Sequence, residues 1–293
     1  MVTFKVIYLK DNQGHGNARR KGLSECTNDL VALMDSDDIS LEKRFEKQLL
    51  KFAENESIDV CGGQIAEFVN SEDNIRSIRS VKLCDSDIKK DLKKRCPMNQ
   101  VTVMFKKQAY NLAGGYIDWF CEEDYFLWAR MAKNNCIFTN VNDVLVNVRT
   151  GLGMSARRGG WKYFKSEKKM QHYLLSNKII SYPRYLYNVL IRFFGEVVVP
   201  NFLRNKLFSL LRTKPKSNSI FVEQNAILNI KFQPFSCVMC VYGKDNPIWF
   251  DRALESVLVN QTVPPSEFIL VVDGPIPEEL DSVIKKYKNY FNN

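Results

Sequence analysis

The sequence has no run of about 18 uncharged apolar residues, so no membrane-spanning helix is expected. Its first stretch, MVTFKVIYLKDNQGHG, lacks the long apolar centre of a secretory leader. It contains no internal repeat and no low-complexity tract. A single CxxC, Cys237-Val-Met-Cys240, lies inside an apolar run, and no second ligand pair stands at zinc-site spacing. The other cysteines (Cys26, Cys61, Cys84, Cys96, Cys121 and Cys136) stand singly, mostly in apolar contexts, as reduced thiols of a cytosolic protein do. No nucleic-acid-binding motif accompanies the basic residues, so no nucleic acid partner is expected.

What is present is a chain of 293 residues, 45% apolar and 26% charged. That suffices for one large domain with an appendage and argues against disorder. The net charge of +9 is uneven: Arg157 to Lys216 holds 14 Lys and Arg against Glu167 and Glu196, which leaves about −3 on the remainder. Such a region suits an anionic partner, whether membrane surface, nucleic acid or phosphate, or is simply a solvated basic face.

Along the chain, FKVIYL (4–9) reads as a strand, NQGHGNARRKGLSEC as a glycine loop and helix, and DLVALMDSDD as a buried strand ending in acids. SLEKRFEKQLLKFAEN has helical spacing behind Ser40, with Ser40 or Asp38 as candidate caps. IDVCGGQIAEFV is a strand, residues 71–95 a polar peripheral excursion, and TVMFKKQAYNLAGGY a strand, short helix and glycine turn. EEDYFLWARMAKNN is a helix opening on three acids, and VLVNVRT a last strand. Residues 157–212 read as basic helices rich in aromatics, and RTKPKSNS (212–219) as a linker. FSCVMCVY and EFILVVDG are strands, each followed by a helix.

Placing 219–293 before residue 1 gives a familiar order. NQTVPPSEFILVVDGP, NQGHGNARRKGL, MDSDDISLEKRFEKQ, AGGY, EDYFLWARM and MSARRGG together resemble stretches of the family 2 glycosyltransferases of bacterial O-antigen and capsule assembly. The resemblance implies an α/β GT-A fold, a Rossmann-like mixed sheet flanked by helices, in circularly permuted order with a basic helical appendage. The expected organisation is residues 1–156 as the central and acceptor-side part, 157–212 as the appendage, 213–231 as the join and 232–293 as the nucleotide-binding first part. A join of about 20 residues spans at most ~70 Å, so closure within one chain is feasible, though a swap into a second copy or a dimer is open.

The implied activity is inverting transfer of a hexose from a UDP-sugar to a lipid-linked, polyprenyl diphosphate acceptor. The setting would be cytoplasmic, peripheral at the inner face of the inner membrane. Asp35-Ser36-Asp37 matches the family's DxD motif, with Asp37 as main ligand of Mn²⁺ or Mg²⁺ and Asp35 on ribose or metal. Asp273, Cys240 and Tyr242 match uridine-contact positions, and Gly14 and Gly16 would let backbone approach the nucleotide. Glu123-Asp124 matches the family's acidic pair, with Asp124 as base. Helix-dipole stabilisation is the rival account of these acids. Gly114-Gly115 would admit a sugar, or be a plain turn. Arg157 and Arg158 would close over diphosphate, or begin a basic face on an anionic membrane. The aromatic stripe of the basic helices suits an interface or a helical core.

Two other activities stay open. A sugar nucleotidyltransferase would need a glycine- and arginine-rich loop after its first strand, where VYGKDNPIW stands instead. The other is a catalytically impaired UDP-sugar-binding protein.

Overall fold

Runs of apolar residues build a nine-stranded mixed sheet, and the computed structural model describes the chain over residues 2–151, 159–199 and 232–292. The strands are β1 (Thr3–Tyr8), β2 (Leu30–Asp35), β3 (Ile39–Ser40), β4 (Val60–Val69), β5 (Ser71–Arg79), β6 (Met104–Lys106), β7 (Phe138–Arg149), β8 (Phe235–Tyr242) and β9 (Glu267–Asp273). Their order is β1-β9-β8-β2-β6-β4-β7-β3, with β5 paired to β4. The first four of these run parallel, β6 is antiparallel to both its neighbours, and β7 is parallel to β4.

The late strands β8 and β9 therefore sit between the early strands β1 and β2 of the same chain. Thr3 pairs with Glu267 at one side and Leu30 with Phe235 at the other. Every residue of β9 is buried, as a central parallel strand covered on both faces requires. Glu267 starts β9 and closes the seam: the Thr27 N–H donates to its carboxylate (2.9 Å), and the Ser236 hydroxyl bonds to it as well.

The helices are α1 (His15–Glu25), α2 (Arg44–Glu54), α3 (Asp85–Leu92), α4 (Lys107–Leu112), α5 (Glu123–Lys133), α6 (Trp161–Ser176), α7 (Tyr182–Phe193), α8 (Pro247–Leu258) and α9 (Glu278–Asn292). Phe45, Leu49, Phe250, Leu254, Leu280 and Ile284 bring α2, α8 and α9 onto one sheet face. Ala18, Leu23, Ile88, Trp128 and Met170 bring α1, α3, α5 and α6 onto the other. Cys237 belongs to the first cluster, while Cys240 packs against the second, so the CxxC pair points to opposite faces and forms no chelate. All eight cysteines are free, but only Cys26, Cys61, Cys136 and Cys237 are buried.

Two readings of the chain need correction. Residues 71–95 are more than an excursion: β5 extends the sheet, and α3 buries Ile88 and Leu92. Neither Ser40 nor Asp38 caps α2, which begins behind Lys43. Ser40 is drawn into β3 by pairing with Val146 of β7, and the Asp38 carboxylate accepts from the Arg149 N–H (2.8 Å).

Gly22 lets α1 lie directly on the late strands. A Cβ there would stand 2.6 Å from Val238 Cγ1 and 2.9 Å from Val271 Cγ2. Gly22→Ala is expected to cost about 1–3 kcal/mol in urea unfolding, with Val238→Ala restoring part of the loss. An unchanged midpoint would mean that α1 does not rest on β8 and β9.

Candidate active site

The carboxyl ends of β9, β8 and β2, the start of α1 and the start of α5 meet at one edge of the sheet. Asp273 ends β9 and is buried. The Gln13 N–H donates to its Oδ1 (2.7 Å) and the Gly14 N–H to its Oδ2 (3.0 Å), so the carboxylate fixes the turn into α1. Gly14 has φ 81°, a left-handed conformation that suits glycine. The next residue, Gly274, has φ 86°, and a Cβ on it would meet Asn12 N at 2.7 Å. Asp273 is thus committed to the loop by two contacts, and a carboxylate offers about four acceptor positions.

Arg19 is the residue that the sequence did not single out. It projects from α1, is buried, and donates through Nη2 to Asp35 Oδ1 (2.6 Å), while Nη1 lies 4.0 Å from Glu123 Oε1. One guanidinium thus bridges the end of β2 and the start of α5. Burial opposes both charges of the Arg19–Asp35 pair. The carboxylates around Arg19 nevertheless hold it above its ordinary pKa, and Arg19, His15 and Arg44 hold Asp35 below its own.

Among the described residues, Asp37 has no such ion-pair partner. Burial, then the charges of Asp35 and Asp245, push its pKa up to about 6. Asp245 accepts from the Ser36 hydroxyl (2.7 Å) and the Tyr242 N–H (3.1 Å), joining the loop after β8 to the acidic turn. Asp245 is a second residue that the sequence reading missed, because it stands in what looks like an ordinary turn. Arg149 is a third. It donates through Nε to the Asp37 carbonyl (3.2 Å), and its guanidinium lies between the Phe68 (4.6 Å) and Trp249 (4.4 Å) rings.

The sequence profile of Glycosyl transferase family 2 matches residues 3–113. A glycosyltransferase of Haemophilus influenzae is 35% identical over 213 residues, covering 73% of this chain and 79% of that protein. The chain belongs to glycosyl transferase family 2. The amylovoran biosynthesis glycosyltransferase AmsE of Erwinia amylovora is 34% identical over 192 residues, 66% of this chain and 71% of its own. The UDP-Gal:alpha-D-GlcNAc-diphosphoundecaprenol beta-1,3-galactosyltransferase of Escherichia coli is 34% identical over 201 residues, 69% and 73%. The mixed sheet flanked by helices is the GT-A arrangement, and the chain is a glycosyltransferase.

In this glycosyltransferase Glu123 and Asp124 form the first turn of α5, and both are half-buried. Burial and Asp124 raise the Glu123 pKa. Asp124 accepts from the Tyr125 N–H through Oδ1 (2.6 Å), and the Cys96 thiol approaches its Oδ2 (3.7 Å). Glu122, just before the helix, is buried, and its carboxyl is pushed well up by burial and by Glu167. Gly16 is buried at the start of α1, its Cβ position 3.9 Å from the Asp118 backbone.

Gly114 and Gly115 have φ 78° and 64°; Gly114 is exposed, and Gly115 is buried. A Cβ on Gly115 would meet the Tyr110 hydroxyl at 2.8 Å, and Arg130 donates to the Gly115 carbonyl (2.6 Å). Gly115 is therefore braced from within, while the Gly114 backbone stays open to solvent. Tyr242 ends β8 half-buried, its ring 6.3 Å from His15, which is exposed. Cys240 lies beneath Arg19 and Asp35, with burial raising its thiol to about 12. Arg157 and Arg158 lie outside the described residues.

A carboxylate whose folded pKa is raised contributes stability below its unfolded value and loses it as pH rises through the folded pKa. For Asp37 that window runs from about 4 to about 6. In metal-free buffer, Asp37→Asn is therefore expected to raise the melting temperature at pH 7.5 by about 2–4 °C, the shift given by about 1 kcal/mol. The gain should vanish near pH 4. A lower melting temperature for the variant at pH 7.5 would contradict the crowding of these acids.

Proposed function

We propose that this glycosyltransferase moves a hexose from a UDP-sugar to a saccharide carried on polyprenyl diphosphate, with inversion, in bacterial surface polysaccharide assembly. The observation that carries the reading is the Arg19 bridge. It joins the acidic turn after β2 to the acidic first turn of α5, beside the strand ends that hold Asp273 and Tyr242. A nucleotide grip, a phosphate-side acid cluster and a candidate base are thus adjacent. The relative from Escherichia coli, which is named for a UDP-galactose donor and a diphosphoundecaprenol-linked acceptor, supports the choice of substrates. The permuted order of the chain, with its nucleotide-side segment 232–293 placed last, belongs to the same reading.

The residues fit a divalent cation in a limited way. Among the described residues, no three His, Cys, Asp or Glu side chains gather as a metal nest. Asp35 is already paired with Arg19, so Asp37 is the carboxylate that a cation would relieve. One or two carboxylates plus substrate phosphates is the usual manner of holding Mg²⁺. When bound, Mn²⁺ or Mg²⁺ neutralises charge developing on the departing diphosphate. Asp37 would hold that ion, with Asp35 directed to it or to ribose by Arg19.

The chain's own residues do the rest. Asp273 and Gly14 shape the nucleotide end of the cleft, and Tyr242 offers a ring for the base. The acceptor hydroxyl oxygen bonds to the anomeric carbon as the bond to the diphosphate oxygen breaks, and Asp124 takes the hydroxyl proton. The Tyr125 N–H and the Cys96 thiol steady the Asp124 carboxylate for that transfer. Glu123 stays oriented toward Arg19.

Asp37→Asn and Asp124→Asn are each expected to lower transfer by at least about 10²-fold. Circular dichroism should remain that of the folded parent. The assay is release of UDP with Mn²⁺, a panel of UDP-sugars and a synthetic diphosphate-lipid acceptor. Full activity in either variant removes that residue from its role. Pyrophosphate release from UTP plus sugar phosphate would favour the nucleotidyltransferase reading instead.

A further inference from the structure

Helix α7 turns polar side chains inward beside the rings of Tyr185 and Phe193: Asn188 donates to Gln171 Oε1 (2.7 Å) and the Lys93 carbonyl (2.9 Å). One turn on, Arg192 donates to Glu167 Oε2 (2.5 Å) and the Lys94 carbonyl (2.8 Å). Its outward side is apolar. Tyr182, Leu186, Tyr187, Leu190 and Ile191 recur at helical spacing, and Phe194 extends the row into the π turn Phe194–Val198. Tyr182 is 61% exposed, Leu190 55% and Phe194 56%. A helix that only had to pack on the body would turn this stripe inward. A contiguous apolar face on the surface marks a binding surface.

We infer that the outward face of α7, flanked by the basic face of α6, docks onto an anionic lipid bilayer. Charge complementarity selects that occupant. The exposed charges of α6 are Lys162, Lys165, Lys168 and Lys169, and Glu167 between them is buried against Arg192. Lysines beside an apolar stripe, with Tyr182, Tyr187 and Trp161 as amphipathic rings, match a helix lying in the headgroup plane. A second copy of the chain on this face would bring two basic hairpins together. Among the described residues no helix is long and apolar enough to cross a membrane, so the contact is peripheral.

The same hairpin touches the candidate active site. Trp119 Nε1 donates to Ser166 Oγ of α6 (2.9 Å), and Ser166 donates to the Phe120 carbonyl (2.6 Å), three residues before Glu123. Docking through α6 and α7 thus holds the first turn of α5 close to the lipid surface. The inference is independent of which sugar is donated or accepted.

Flotation of the full chain with phosphatidylethanolamine–phosphatidylglycerol vesicles, and separately with phosphatidylcholine vesicles, tests it. The chain should float with the first and weakly with the second. The double substitution Leu190→Gln, Ile191→Gln should lower partitioning at least about tenfold. Lys165→Ala and Lys168→Ala should each lower it about fivefold, an effect lost in high salt. Melting temperature and donor hydrolysis in solution should not change, since these side chains lie outside the candidate site. Equal flotation of parent and double variant overturns the inference. So does absence of flotation by the parent, a drop in melting temperature, which would assign the face to an intramolecular cover, or dissociation of a dimer, which would assign it to a second copy.

Discussion

Helix α1 is the constraint on which the candidate site depends. Its first turn is tied to Asp273, near the end of the chain, and its body rests through Gly22 on Val238 and Val271 of the late strands. Its Arg19 then reaches Asp35 and Glu123 in the early part. Without that helix the late strands β8 and β9 and the acidic turns would share a sheet but not a site. Breaking a buried ion pair by removing one partner typically costs about 3–5 kcal/mol, because a desolvated charge is left behind. Asp35 is partly exposed, so the lower end applies here, yet the geometric role does not shrink with the energy.

The acids near Arg19 divide into satisfied and unsatisfied groups. Asp35 has the guanidinium, and Asp245 has the Ser36 hydroxyl and the Tyr242 N–H. Asp38 accepts from the Arg149 N–H but is still pushed well up by burial and by Asp37. Asp37 carries the tension: among the described residues its carboxylate has no ion pair, and the Arg149 charge offsets only part of the push from burial, Asp35 and Asp245. A local rule broken at one place and supported all around it is the usual mark of a site kept for function. The rigid floor beneath, with β9 wholly buried, makes that tension tolerable.

Much of this was legible from residue order. The apolar runs in FSCVMCVY and EFILVVDG placed two central strands, and the clustered acids of MDSDD and EED marked the two turns that Arg19 joins. The ordering of 219–293 before residue 1 put strands from both ends of the chain into one sheet, and the pairing places β8 and β9 between β1 and β2. Other features were not legible, for physical reasons. Arg19 sits in NARRKG beside Arg20 and Lys21, and only the helix phase decides which cation turns inward. Asp245 reads as a turn residue, and its role depends on Ser36 more than 200 residues away in sequence. Gly114 and Gly115 read alike in sequence, but only at Gly115 do Tyr110 and Arg130 close in from within. In α7 the periodicity was plain, but its direction was not: a moment says that two faces differ, and only packing says which one faces out.

The central claim is that Asp273, by holding Gln13 and Gly14, builds the nucleotide end of the cleft from both ends of the chain. Isothermal titration of UDP into the parent and into Asp273→Asn, with Mn²⁺ present, tests it most directly. The account predicts at least about tenfold weaker UDP binding in the variant, the loss of one or two charge-assisted hydrogen bonds. Equal UDP affinity in the two proteins would contradict it.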